Sequence, residues 1–460
     1  MAHPAPTVVQ RPQSALWAIC IAAFLVPFMG SALNLALPQI SEAFSLKAVT
    51  LTWMATSYIL STAIFQIPFA RMGDLIGRKK VFMMGVFGFS CCMFLSGFAF
   101  SGMMLIILRF ITGMCSAMMF GTNIAILSAL YPPEKRGKVL GINLAVIYAS
   151  LAAGPLLGGL FTHYIGWQSI FFFSGSIGLV AAGLARFFLK GEWIESKGEK
   201  FDYVGSVIYG VALTGLILGC TQLPGIFGFA LIVTGIAAFV LFSYYEQKCP
   251  FPVFNVTLIS RNRVFALSSL AALINYASTF AIIFMLSLYL QYVRGFEAQQ
   301  AGLIIISQAC VQALFSLFAG RLSDKIAPSI LATAGMAIIV AGIVGLIFLS
   351  SNTPVYCIIA LLLLLGVGFG IFSSPNTNVI MGSVDKKHYG QASAVSGTMR
   401  LTGQALSMGI AGMVIALQMG NHKITPDVYP QFLSSMQITF IIFALLCMFG
   451  VYASFKRRPT

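Results

Sequence analysis

Two arginines stand where arginine is costly: Arg109 separates the uncharged runs 81–108 and 110–133, and Arg400 opens the uncharged run 401–422. An arginine near the middle of a bilayer-spanning helix costs about 2.5 to 3.5 kcal/mol, so it normally faces a protein interior or a water-filled cavity and marks function. Arg109 is therefore expected to line a central cavity. The alternative is a buried hydrogen bonder to neighbouring carbonyls. Arg400, followed by Gly403, Gln404, Ser407 and Ala411, is expected in the cavity or snorkelling to a membrane edge. A second constellation is the loop Gly73-Asp74-Leu75-Ile76-Gly77-Arg78-Lys79-Lys80, with Arg71 just before it. Its single carboxylate can pair with a base or a helix N-terminus, and its glycines permit a tight turn. Such a cluster can latch a gate, or it can simply orient the flanking helices.

These groups need helices to hold them. Residues 12–41, 48–70, 81–108, 110–133, 139–185, 203–245, 264–293, 298–320, 326–384, 401–422 and 428–455 carry no Asp, Glu, Lys or Arg. A hydrocarbon core needs about 20 helical residues, so most runs hold one span. Those beginning at 139, 203 and 326 hold two, with turns at Thr162–Trp167, Gln222–Gly225 and Ser350–Pro354. Fourteen spans result, an all-α integral membrane protein. The charged fraction of 8% against 58% hydrophobic residues excludes a soluble domain of ordinary composition.

The net charge of +15 is distributed, not clustered. With both termini on one side, 21 basic residues fall on that side and three, Lys47, Arg294 and Lys423, on the other. This is the positive-inside pattern, which places both termini in the cytoplasm, suits attraction to anionic membrane lipid and argues against nucleic acid. The nine cysteines have no paired extramembrane spacing and the four histidines are scattered, so neither a disulfide framework nor a metal site is expected.

The Asp74 loop has a copy 250 residues on: Gly320-Arg321-Leu322-Ser323-Asp324-Lys325-Ile326 aligns Arg321 with Arg71 and Asp324 with Asp74. Two six-span halves are expected, 14–190 and 264–455, around inserted spans within 204–245. Tails at 1–13 and 456–460 and linkers at 191–203 and 246–263 complete the chain. Parallel repeats of this kind build a midplane site that opens alternately to each side. Small residues Ser150, Gly154 and Gly158 recur on one helical face with Pro155 and Gly159 beside them, so close packing against a helix of the other half, with a bend, is expected there.

Asp74-Leu75-Ile76-Gly77-Arg78-Lys79 resembles the loop signature of the major facilitator superfamily, and the fourteen-span layout resembles its drug:proton antiporter branch. Asn34-Leu35-Ala36-Leu37-Pro38, Trp53 with Thr56-Ser57-Tyr58, Arg109 with Gly113, Gly154-Pro155-Leu156-Leu157-Gly158-Gly159 and Gly166-Trp167-Gln168 are similar to further family motifs. The resemblance covers nearly the whole chain. It implies two six-helix bundles plus two inserted helices, a secondary transporter with no catalytic residues and no cofactor beyond a proton gradient, a part for Arg109 in proton coupling or substrate contact, and closure between halves at the Gly154–Gly159 string. Polar and aromatic residues on the implied cavity helices are Asn34, Tyr58, Gln66, Asn143, Tyr148, Asn275, Tyr276, Gln312, Asn376 and Asn378. Each alone is also a common helix–helix hydrogen bonder.

The chain departs from related drug exporters in its carboxylates. Met29 occupies the span-1 position where an acid is frequent, and all twelve Asp and Glu residues fall in loops or at membrane edges. The expectation is a monomeric exporter of small neutral or anionic amphipaths in a prokaryotic inner membrane, working by alternating access. A lipid or lipid-precursor flippase, or an importer, is the alternative. A membrane enzyme or a receptor is a different class, and no nucleophile–base pair supports the enzyme.

Overall fold

In hydrocarbon every backbone N–H and C=O must be satisfied within the protein, and uninterrupted apolar runs meet that demand as helices. The computed structural model describes residues 12–196, 198–223, 225–254, 262–323, 325–384, 389–420 and 422–456. Its helices are α1 (Pro12–Phe44), α2 (Ala48–Ile76), α3 (Arg78–Gly97), α4 (Gly102–Leu130), α5 (Pro133–Tyr164), α6 (Gln168–Phe188), α7 (Tyr203–Thr221) and α8 (Ile226–Lys248). They continue as α9 (Arg263–Ala277), α10 (Phe280–Leu288), α11 (Ala298–Leu322), α12 (Pro328–Ile347), α13 (Val355–Gly382), α14 (Tyr389–Met419) and α15 (Tyr429–Lys456). Among the described residues fourteen spans are long and apolar enough to cross a membrane, with α9 and α10 sharing one. The three expected turns fall between helices, at 165–167, 222–225 and 348–354.

The break between α9 and α10 was not legible from hydropathy. Ser278 Oγ bonds the Ile274 carbonyl at 2.8 Å and Thr279 Oγ1 the Asn275 carbonyl at 2.6 Å, so side chains compete with the helical ladder. The amide of Ala281, released by the break, donates to Ser407 Oγ of α14 at 3.0 Å. A short π-turn, Tyr289–Val293, then ends the span.

Helices α1–α6 pack chiefly on one another and α9–α15 on one another. The inserted α7 and α8 pair, and α7 also lies against α2 of the first half and α14 of the second. Helix α8 is strongly apolar yet little of it is buried. Its exposed Phe229, Val233, Ile236 and Val240 make an apolar face suited to lipid.

The halves join through α5 with α11, α2 with α14 and α1 with α10. At the end of the bundle remote from Asp74 these joints are intimate. The carbonyl of Asn34 accepts Ser287 Oγ at 2.7 Å, Ala48 donates its amide to the His422 carbonyl at 3.1 Å, and His163 lies 3.5 Å from Glu297.

Candidate functional site

The Asp74 loop is held by a segment to which sequence reading gave no part. Gly77 has φ +117°, a conformation that L side chains rarely adopt, and it lets α2 stop and α3 start within one residue. Arg78 Nε bonds Asp74 Oδ1 at 2.8 Å, and its Nη2 reaches Glu195 Oε2 at 2.5 Å. Arg71 pairs with Glu199 and bonds Ser196 Oγ at 2.9 Å. The amides of Glu195 and Ser196 both donate to the Asp74 carbonyl, and Arg78 donates its amide to Trp193. Glu192 accepts the amides of Lys79 at 2.8 Å and Lys80 at 3.2 Å, capping the N-terminus of α3 where negative charge is favoured. Gly73 supports this arrangement, because a Cβ there would stand 2.8 Å from Thr122 of α4. The loop is thus latched to the linker between α6 and α7. In the second copy Arg321 is exposed, Asn378 bonds Ser323 Oγ at 2.8 Å, and Asp324 lies outside the described residues.

The small-residue string on α5 has two faces. A Cβ at Gly154 would collide with Ser31 Oγ, and one at Gly158 would come within 2.7 Å of Ala32 Cα, both on α1 of the same half. Ser150 turns its hydroxyl to the Ile147 carbonyl at 2.7 Å. The expected contact with the other half is made instead by the neighbouring face: a Cβ at Gly159 would lie 2.6 Å from the Ala298 carbonyl oxygen, and one at Gly302 would strike the Pro155 carbonyl. The correction is one of rotation, since residues four apart share a face and Gly154 and Pro155 do not.

Arg109 does not line an open cavity. It is 2% exposed, with Nε 3.3 Å from the Met54 carbonyl, its guanidinium 4.3 Å above the Tyr58 ring and Nη1 without a hydrogen-bond partner. Tyr58 in turn donates to the Val26 carbonyl at 3.3 Å and to Ser116 Oγ at 3.1 Å, which encloses the pair among α1, α2 and α4. Other expected cavity residues also serve helix packing. Asn123 bonds Asn143 at 3.4 Å, Asn376 bonds the Ser268 carbonyl at 3.2 Å, and Gln312 sits on α11 where it passes Gly366 and Gly370 of α13. Asn275, beside the α9–α10 break, is buried with both amide atoms unpaired.

What the structure brings together between the halves is smaller. Tyr148 of α5 and Ser373 of α13 share a hydrogen bond of 2.9 Å. Tyr276 of α9 lies within electrostatic reach of both Tyr148 and Arg400. Half-buried Arg400 holds its guanidinium 5.6 Å from the Phe120 ring of α4. One turn away, Gln66 Nε2 would stand 2.8 Å from a Cβ at Gly397, while its Oε1 is buried and unpaired. Phe120 and Ser373 were missed by sequence reading. The string Ser373-Ser374-Pro375-Asn376 inside an apolar span was the available signal for Ser373, and Phe120 carried none among 40 phenylalanines.

Two helical bundles meeting around a polar and aromatic seam, closely joined at one end, form the architecture of a membrane transporter built from two repeats. The chain belongs to the Major Facilitator Superfamily, whose family model matches residues 19–408 and 268–460. It is 27% identical over 434 residues, 94% of each chain, to the riboflavin transporter RibZ of Clostridioides difficile. To the multidrug resistance protein Stp of Mycobacterium tuberculosis it is 27% identical, over 83% of this chain and 72% of that one. To the tetracenomycin C resistance and export protein of Streptomyces glaucescens it is 24% identical, over 94% and 80%. The crystal structure of a bacterial homolog of the human lysosomal transporter Spinster superposes with a TM-score of 0.70 at 17% identity, covering 98% and 99% of the two chains, and shares the fold.

Proposed function

We propose that this transporter exports small neutral or anionic amphipathic molecules by alternating access, in exchange for protons, from a prokaryotic cytoplasm across the inner membrane. The observation that carries the substrate class is the seam itself. Arg400 brings a positive charge to it, flanked by Phe120 and by the phenols of Tyr148 and Tyr276. A cation entering there would meet a like charge and no carboxylate among the seam residues, whereas a flat polar ring could stack on Phe120 and accept from the phenols and the guanidinium. Relatives named for transport of riboflavin and export of tetracenomycin C support organic ring systems as substrates, and the export name supports the direction. The inward excess of basic residues supports cytoplasmic termini. The protein acts as a monomer in contact with anionic lipid, with the proton gradient as its energy source.

The test is flux in vesicles containing the purified protein alone, using cationic, neutral and anionic analogues of one aromatic scaffold with and without an imposed proton gradient. Neutral or anionic analogues moving several-fold faster under the gradient are expected. Preferential movement of the cation would overturn the substrate class, and gradient-independent flux would overturn the antiport.

A further inference from the structure

The inserted helices carry a buried carboxyl pair outside the seam. Asp202 caps α7 and is 7% exposed, and Glu246, in the last turn of α8, is 3% exposed. Asp202 Oδ1 accepts the Gly205 amide at 2.8 Å and the Tyr245 hydroxyl at 3.1 Å, while Oδ2 accepts the Cys249 thiol at 3.6 Å. Glu246 Oε2 accepts the Phe254 amide at 3.2 Å, and its Oε1 is buried without a partner. Asp202 Oδ2 and Glu246 Oε1 both lie within 2.6 Å of the point where a Cβ on Gly205 would stand. Glycine at 205 is what lets the two carboxyls converge.

Among the described residues neither acid takes part in an ion pair. Among the described residues the titratable groups bonded to the pair are Tyr245 and Cys249, from α8 and the residue after it. Ala63 and Ile67 of α2 and Leu401 of α14 pack with Phe242, one turn before Glu246 on α8. The lysines nearest in sequence are turned elsewhere: Lys248 lies over the Tyr244 ring at 4.0 Å, and Lys200 is exposed. Two ionised carboxylates about 5 Å apart or less, buried and without a cation among the described residues, repel strongly. A proton on Glu246 Oε1 removes a charge and lets that orphaned oxygen donate to Asp202 Oδ2.

We propose that Glu246 binds a proton on the oxygen that faces Asp202, forming a proton site in the inserted helix pair that is separate from the substrate seam. Its position couples it to both halves. Phe254, whose amide Glu246 holds, packs with Tyr209, Leu213 and Phe242 against Ala63 and Ile67 of α2 and Leu401 of α14. Loss of the proton would push the start of α7 from the end of α8 and loosen that apolar joint. This coupling deepens the antiport reading and rests on it, whereas proton binding itself does not.

Infrared difference spectra of the full-length protein in lipid, recorded across a pH titration, test the site. A protonated-carboxyl C=O band that shifts in heavy water is expected in the unmodified protein at neutral pH. Glu246→Gln and Asp202→Asn should each remove it, while Asp74→Asn leaves it. Absence of the band, or its persistence in both amide variants, would overturn the proposal. Should an amide variant fail to fold, glutamate labelled with carbon-13 reports instead: a band that does not move with the label and is also unchanged in Asp202→Asn overturns it equally. Flux is then measured against pH in Glu246→Gln. A flattened profile supports the coupling; an unaltered one keeps the proton site and removes its part in antiport.

Discussion

Gly302 of α11 rests directly on the carbonyl of Pro155 of α5, a close approach of the two halves at the end remote from Asp74. Gly154, one residue earlier, faces Ser31 within its own half. The two glycines should therefore respond differently to a bulky side chain. Gly302→Leu is expected to leave the halves folded but to hold that end apart, lowering flux at least about tenfold, since overpacking costs roughly 1–3 kcal/mol. Gly154→Leu should instead lower the thermal midpoint and the yield of folded protein, by wedging α1 from α5. Thermal melting and vesicle flux of both variants check this, and a normally stable Gly154→Leu protein with blocked flux would reverse the assignment.

The spans of this chain are legible in its sequence, and the partners of its small residues are not. Charge spacing placed the span boundaries, because a bilayer-length helix cannot carry loop charges at low cost, and all three uncharged turns fell within residues of their expected places. The small-residue string located a close-packed face but not its partner, since Gly154 and Pro155 are adjacent in sequence and about 100° apart around the helix. Arg109 was legible as a costly residue. Its burial under Tyr58 was not, because a cavity wall and a helix interface place the same demand on an arginine. Glu246 read as a loop-edge acid, while the structure buries it against Asp202 through a contact 44 positions distant in sequence.

The two in-span arginines should separate stability from selectivity. Arg109 contributes a buried hydrogen bond to Met54 and packing over Tyr58. Arg109→Ala should cost about 2–4 kcal/mol through the void and the lost bond, visible as a lower melting temperature with little preference among substrates. Arg400→Gln should melt near the unmodified protein yet bind anionic analogues at least about tenfold more weakly, an effect of about 1.4 kcal/mol. Binding of the analogue series to both purified variants distinguishes these roles.

The linker between α6 and α7 should matter unequally along its length. Glu195 is 65% exposed on its side chain, so its pair with Arg78 contributes at most about 1 kcal/mol, and Glu195→Gln should be nearly silent. Arg78 is buried and engages Asp74 as well as Glu195. Arg78→Ala strands Asp74 and should reduce flux several-fold at unchanged membrane yield. Glu192→Ala, which uncaps two amides of α3, should increase hydrogen exchange at Lys79 and Lys80 ahead of any change elsewhere.

Orientation is testable at the two ends of the bundle. Ser383, beyond α13, lies at the Asp74 end, and Phe100, between α3 and α4, lies at the other with 82% of its surface exposed. In a background lacking reactive native thiols, Ser383→Cys should resist impermeant maleimides in intact cells and Phe100→Cys should label quickly. The reverse pattern would place both termini outside.

The Tyr148–Ser373 bond joins the halves near mid-helix, so it must open or slide when they part. A neutral hydrogen bond contributes about 0.5–1.5 kcal/mol net, which corresponds to a shift of roughly two- to tenfold in a conformational equilibrium. Tyr148→Phe keeps the ring beside Tyr276 while removing that bond. It should favour the parted arrangement, raising the reactivity of a cysteine at Ser374 by that factor, with melting temperature little changed. Substrate affinity should fall as well if the phenol donates to the ligand, and Ser373→Ala, which removes the same bond but leaves the phenol, should reproduce the conformational shift without the affinity loss. Equal affinity losses in both variants would mean that Tyr148 acts on the equilibrium between forms and not on the ligand.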